Sequence, residues 1–229
     1  MSAPDVRSFT VGPVQENAYI VRSDSAATRA VIVDPGEEAE RLLAAAQGLG
    51  VEIEAILITH CHFDHIGAVS PVAKATGAPV YCPAIERSLL EDIMSWVPPG
   101  FGPFESHQPE HTLVGGERLS LAGLDIEVIS TPGHSPGHLT YALSGAVLSG
   151  DVLFQGSVGR VDLPGGDWAT LERSIEGLVR ALPPETVVYP GHMGATTLGR
   201  ELDSNPFLSE LRVRVPRASS LPGAPAAGS

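Results

Sequence analysis

Residues 59–65 read Thr59-His60-Cys61-His62-Phe63-Asp64-His65, and the apolar run Ala55-Ile56-Leu57-Ile58 stands directly before them. That run has the length and composition of a buried strand, so the polar cluster falls at a strand's end. Three imidazoles and a carboxylate within six residues make a donor set suited to zinc or a similar first-row metal. In extended chain His60 and His62 project to one side and Cys61 to the other, which assigns the thiol to packing behind the metals. Asp64 and His65 turn onward into Gly67-Ala68, where a helix is expected to begin, and so approach the cleft from a second direction. Two metal ions become geometrically possible. A purification tag would be terminal and would lack the interleaved Asp64, and a solvated loop would lack the apolar flanks.

Outward from the cluster, short β-type runs and helical stretches come in two successive sets. Val6–Gly12, Asn17–Arg22 and Ala30–Asp34 are strands of an opening meander, punctuated by Gly-Pro and Ser-Asp. Glu37–Leu49 carries Leu42, Leu43, Ala46 and Leu49 at helical spacing, with Gly48 and Gly50 as stops. After the cluster, Ile66–Thr76 fits a helix ended by Gly77, Val80-Tyr81 a strand, and Pro83 the start of a helix running to about Ser95. Short strands return between Arg118 and Leu148, followed by a helix over Trp168–Leu182 and a strand over Thr186–Tyr189. Two sheets facing one another between two layers of helices accommodate this order. Residues 1–215 are read as one domain, and the Pro-, Gly-, Ala- and Ser-rich residues 216–229 as a disordered tail.

Composition narrows the function. A chain of 229 residues with 43% hydrophobic and 18% charged residues is ordinary for a globular enzyme with one sizeable core. A net charge of −13, without clustered Lys and Arg, argues against a nucleic-acid partner. No basic leader precedes an apolar stretch at the start, and nowhere do about eighteen apolar residues run together. A cytoplasmic location off the membrane is therefore expected. The two cysteines, Cys61 and Cys82, form no paired-cysteine metal signature and read as free thiols.

Three more donors stand at the ends of β-type segments, each with glycine before it: His134 in Thr-Pro-Gly-His, Asp151 in Leu-Ser-Gly-Asp and His192 in Tyr-Pro-Gly-His. Taken singly each is an ordinary turn residue. Together with the opening cluster they describe loops converging on a small ion, where glycine allows close backbone approach. Asp34, ending an apolar strand before Pro-Gly, reads by itself as a turn aspartate. His138 is either a partner of the site or a turn residue, and His107 and His111 are expected in solvent.

The set His60-x-His62-x-Asp64-His65, His134, Asp151 and His192 resembles the pattern of the metallo-β-lactamase superfamily, in the same order and over nearly the whole chain. The resemblance implies an α/β fold of four layers, an αββα sandwich, with a dinuclear site at one sheet edge. It also implies that His60, His62 and His134 hold one metal, Asp64, His65 and His192 the other, that Asp151 bridges, and that Asp34, otherwise a plain turn residue, buttresses a ligand histidine. Residues 150–167 and 189–207 look most like the glyoxalase II branch, the hydroxyacylglutathione hydrolases and their short bacterial relatives. A β-lactamase subclass has cysteine where Asp151 stands and is normally exported, which disfavours antibiotic degradation.

The implied activity is hydrolysis of a thioester such as S-lactoylglutathione. Water on two divalent metals, zinc with iron or manganese as alternatives, has its pKa lowered from about 15.7 toward 7 and supplies hydroxide. Asp64 and Asp151 are the implied catalytic carboxylates, with Asp64 also orienting that hydroxide. Arg160 occupies the place where a basic residue of the branch contacts glutathione. Long-form members carry a C-terminal helical extension that helps bind glutathione, whereas little follows Pro206–Leu211 here, so glutathione specificity does not follow from the resemblance. The rival readings are a persulfide dioxygenase with one iron held by two histidines and an aspartate, and a lactonase or phosphodiesterase of the same fold. A purely structural metal site is the non-catalytic alternative, disfavoured because structural zinc takes four closed ligands. Oligomeric state is left open by the sequence.

Overall fold

The structure, a computed structural model, describes residues 3–215, so the tail expected over 216–229 lies outside the described residues. One six-stranded sheet has the order β1 (Asp5–Val11), β2 (Glu16–Arg22), β3 (Arg29–Val33), β4 (Glu52–Leu57), β5 (Val80–Pro83) and β6 (His111–Leu113). Its first two pairings are antiparallel, and from β3 onward all are parallel. The second half builds β7 (Arg118–Leu121), β8 (Leu124–Ser130), β9 (Leu139–Leu143), β10 (Ala146–Gly150), β13 (Val187–Pro190) and β14 (Thr196–Thr197) into another six-stranded sheet, ordered β14-β13-β10-β9-β8-β7. A small hairpin, β11 (Leu153–Phe154) with β12 (Ser157–Val158), follows β10.

Alternation along the strands sorts side chains into layers, because successive residues point to opposite faces. Ala18, Ile20, Ala30 and Ile32 pack outward with helices α1 (Ala39–Leu49) and α3 (Val69–Thr76). Their neighbours Tyr19, Val21, Val31 and Val33 face inward, meeting Ile126, Val128, Tyr141 and Leu148 of the other sheet. On the far side, Ala142, Val147 and Val188 pack with Leu171, Ile175 and Leu178 of α5 (Trp168–Ala181), and with α6 (Leu198–Ser204) and α7 (Ser209–Arg214). Asp167 caps α5 by accepting a hydrogen bond from the Thr170 amide at 2.8 Å. The four layers are the αββα sandwich expected from the sequence.

Two helices differ from their expected bounds. Asp64 and His65 do not precede a helix; they lie in a short one, α2 (Phe63–Ile66), and α3 follows as a separate element closed by Gly77. An acidic residue in a first turn is favoured by the helix dipole, and at Asp64 that signal marks the true start. The helix expected from Pro83 to Ser95 is broken at Asp92 (φ −143°, ψ 58°), leaving α4 (Arg87–Glu91) between two single 3₁₀ turns. Asp92 instead accepts a hydrogen bond from the Ser95 hydroxyl at 2.7 Å.

Strand direction positions the site. β3 and β4 are parallel, and β8, β10 and β13 also share one direction, since β8 and β10 are both antiparallel to β9 while β13 is parallel to β10. The five carboxyl ends are followed in the chain by Asp34, His60–His65, His134, Asp151 and His192. Crevices beyond strand carboxyl ends are where open α/β sheets bind ligands. No helix among the described residues is long and apolar enough to cross a membrane.

Candidate metal centre

All seven residues named as ligands from the sequence converge. His60 Nε2 lies 3.1 Å from His62 Nδ1 and 3.2 Å from His134 Nε2, and the latter two nitrogens are 2.9 Å apart. Nitrogen ligands about 2.0–2.1 Å from a tetrahedral ion stand about 3.3 Å from each other, so this spacing suits one cation. A second group sets Asp64 Oδ2 3.3 Å from His192 Nε2 and 3.9 Å from His65 Nε2. Asp151 stands between the groups: Oδ1 is 3.4 Å from His65 Nε2, and Oδ2 is 3.5 Å from His192 Nε2 and 3.6 Å from His134 Nε2.

The outer ring nitrogens are held so that the inner ones keep their lone pairs. His65 Nδ1 donates to Asp34 Oδ2 at 3.0 Å, His134 Nδ1 to the Arg160 carbonyl at 2.7 Å, and His192 Nδ1 to the Gln15 carbonyl at 3.3 Å. Thr59 Oγ1 donates to Asp34 Oδ2 at 2.6 Å, which leaves its lone pair to accept from His60 Nδ1 at 3.1 Å. Such partners fix tautomer and ring orientation of metal ligands. Asp34, itself in the left-handed region at φ 48°, also accepts the Thr59 amide at 2.7 Å. It thus supports His65 and the Thr59 loop, as the superfamily resemblance implies.

Charge in the site is ordered the same way. Burial, reinforced by neighbouring imidazoles, pushes His60 well below the usual histidine range and brings His62 down to about 4, so both are neutral donors. Burial opposes ionisation of Asp151 and Asp64, yet the His65 charge beside them outweighs it and lowers both. Burial likewise works against a charged His65, but Asp151 and Asp64 raise it well above its ordinary value. A cation between these groups would take over the place of that proton. His65 Nε2 and Asp151 Oδ1 are buried and have no hydrogen-bond partner among the described residues, an orphaned pair that a divalent ion satisfies.

Glycine before each distant ligand is explained by space. A Cβ on Gly150 would sit 2.4 Å from Thr59 Oγ1, and the residue is left-handed at φ 46°. A Cβ on Gly191 would sit 2.2 Å from Asp151 Oδ1 and 2.6 Å from His65 Cε1. The His192 turn is further fixed from the first sheet, where Asn17 Nδ2 donates to the carbonyls of Pro190 and Met193 at 3.1 and 2.8 Å and Tyr19 Oη to Pro190 at 2.6 Å.

Several residues about the site have no distinct mark in the sequence. Glu86, buried in a 3₁₀ turn, accepts the Cys61 amide at 2.6 Å on one oxygen and the Gly137 amide at 2.7 Å on the other. It thereby ties the His60–His62 loop to the turn bearing His134. Glu86→Gln replaces one acceptor with a donor facing an amide N–H; we expect a loss of about 1–3 kcal/mol in stability and a metal affinity lower by about 10–100-fold. Denaturant titration and chelator competition measure the two, and wild-type affinity in the variant would show that the tie is dispensable.

Glu16 is also buried, with Oε1 3.7 Å from His65 Nδ1 and neither oxygen hydrogen-bonded among the described residues; burial raises its carboxyl well above the usual range. His138 is a partner of the site rather than a plain turn residue, since its Nε2 accepts the Asp151 amide at 3.0 Å. His111 is exposed, as expected, but stacks on Tyr81 at 4.4 Å, whereas His107 is half-buried. Cys61 and Cys82 are buried free thiols with sulfurs 3.4 Å apart, behind the ligand loop. Arg160 is exposed, and its guanidinium makes two 2.7 Å contacts with Asp162.

With this geometry, residues 11–192 match the Metallo-beta-lactamase superfamily, and the chain belongs to that superfamily. It is a metallo-hydrolase of that fold. The chain is 39% identical to the probable metallo-hydrolase YqgX of Bacillus subtilis (strain 168), over 89% of this chain and 97% of the relative. It is 33% identical to the hydroxyacylglutathione hydrolase GloC of Haemophilus influenzae, over 90% and 98%. Among solved structures, the BLEG-1 B3 metallo-beta-lactamase superposes with a TM-score of 0.84 at 40% identity, covering 90% of this chain and all of that one. TTHA1623 in a di-iron-bound form gives 0.78 at 45% identity, covering 88% and 100%.

Proposed function

We propose that the chain is a dinuclear thioesterase of the glyoxalase II type, hydrolysing a small-molecule thioester. Asp151 carries this reading: one carboxylate stands between two three-donor groups, within 3.6 Å of a histidine from each. Similarity to GloC supports the thioester as substrate class. Zinc is the first expectation for these donors, and the di-iron form of TTHA1623 supports iron beside it.

When bound, a pair of divalent ions supplies a nucleophilic hydroxide and a Lewis acid for the carbonyl oxygen. The chain's part is positional. His60, His62 and His134 would present ring nitrogens to one ion, Asp64, His65 and His192 donors to the other, and Asp151 an oxygen toward each. Asp64, ionised beside His192, is placed to orient the attacking oxygen by accepting its proton in a hydrogen bond. Arg160 remains the candidate contact for an anionic thiol carrier, provided that such a group displaces Asp162.

The likeness to BLEG-1 favours β-lactam hydrolysis as a second reading. Elemental analysis with parallel assays on S-lactoylglutathione, neutral thioesters and a cephalosporin separates the two: two metals per chain with thioester cleavage supports the first. One iron with oxygen uptake on glutathione persulfide would replace both with a dioxygenase. Removing metal with a chelator is expected to abolish turnover and lower Tm by about 10 °C, since ligand at about a thousand times Kd contributes about 4 kcal/mol. Thermal scans with and without chelator check it.

A further inference from the structure

The substrate's acyl group can be inferred from what flanks the ligand-bearing helix α2, and this inference rests on the thioesterase reading. Phe63 stands between His62 and Asp64 in the chain, and its half-buried ring packs on Phe101 with 4.7 Å between centroids and on Phe104 with 6.3 Å. A Cβ on Gly67, one helical turn after Phe63, would lie 2.7 Å from the Phe104 ring, so both phenylalanines share one flank of α2. Phe101 and Phe104 come from the loop that follows Asp92, where Met94 and Trp96 are also exposed. The loop from Asp92 to Glu105 contains no Lys or Arg. The lysine that reaches it, Lys74, is paired with Glu105.

At the other candidate binding position, the Arg160 charge is matched by Asp162 in two contacts. An anionic acyl group thus finds no unmatched Lys or Arg in the Asp92–Glu105 loop or at Arg160, whereas an apolar one finds the ring of Phe63, chain neighbour of His62 and Asp64, with Phe101 and Phe104 packed on it. Ligand sites combine such apolar walls with a few convergent polar groups. We propose that Phe63, Phe101 and Phe104 form the wall that receives the acyl group, making uncharged, apolar acyl groups larger than acetyl the preferred substrates.

The test is a series of acetyl, butanoyl, hexanoyl and phenylacetyl thioesters on one neutral thiol, N-acetylcysteamine, with metal-loaded full-length protein. The kcat/KM is expected to rise by about tenfold or more from acetyl to butanoyl, as burial of two methylenes implies. Phe101→Ala, in an exposed loop, should cut the butanoyl-to-acetyl ratio by about tenfold, and Phe104→Leu, which keeps an apolar side chain against the core, should lower it less. Val213→Ala on the exposed face of α7 should leave the ratio alone.

Calorimetric binding of the corresponding non-hydrolysable thioethers gives a readout independent of turnover, with Kd falling as the chain lengthens. A flat series in which Phe101→Ala keeps the wild-type ratio overturns the wall. Chain-length-dependent thioether binding with no thioester cleaved keeps the wall and removes the thioesterase reading. Cleavage with no length dependence does the reverse.

Discussion

Asp151→Ala is expected to lower turnover by at least about a thousandfold and to lose bound metal in the same preparation. The carboxylate is the group of this site that reaches toward both candidate ion positions. Alanine removes two donors at once and leaves His65, His134 and His192 without the negative charge that faces them. A thousandfold corresponds to about 4 kcal/mol, which is the scale of Lewis-acid assistance at a single centre. Loss through metal, not through folding, predicts that circular dichroism is preserved while elemental analysis drops below the wild-type stoichiometry. A variant that retains full metal and full rate would show that Asp151 bridges nothing.

Gly191→Ala, a single methyl, should have nearly as large an effect. Gly191 is not left-handed, so alanine can adopt its backbone angles, and the whole cost is steric. The methyl would lie 2.2 Å from Asp151 Oδ1 and 2.6 Å from His65 Cε1, so two ligands must shift. Overpacking of a well-filled interior costs about 1–3 kcal/mol, and displacing the ligands is expected to reduce metal affinity by at least about 10–100-fold, the cost usual for disturbing a ligand's support. Chelator competition followed by elemental analysis measures this directly. Wild-type affinity in Gly191→Ala would mean that the His192 turn is free to retreat, contrary to its anchoring by Asn17 and Tyr19.

The convergence of the seven named residues was legible because donor residue types and positions just past strand ends both leave marks in sequence. Layer order was legible for a similar reason, since apolar alternation and helical spacing report which faces are buried. Glu86 was not legible: a glutamate shortly after a proline reads as an ordinary helix start. Its function depends on two amides from loops 25 and 51 residues away. Glu16 is hidden likewise at the head of a strand in which all seven residues are buried. The start of α2 was misplaced because glycine was given the weight of a boundary, whereas the acidic first-turn residue set it. Asp92 and Ser95 similarly override a helical pattern by a side-chain hydrogen bond that periodicity does not register.

Each of the two groups that Asp151 faces takes two members from the first half of the chain and one from the second: His60 and His62 with His134, Asp64 and His65 with His192. An ion bound in either of these two groups would act as a rivet through the seam between the halves. Ion capture would thus add to the mating of the sheets that their shared apolar core already provides, so free metal in the surroundings raises the stability of the join without being its sole cause.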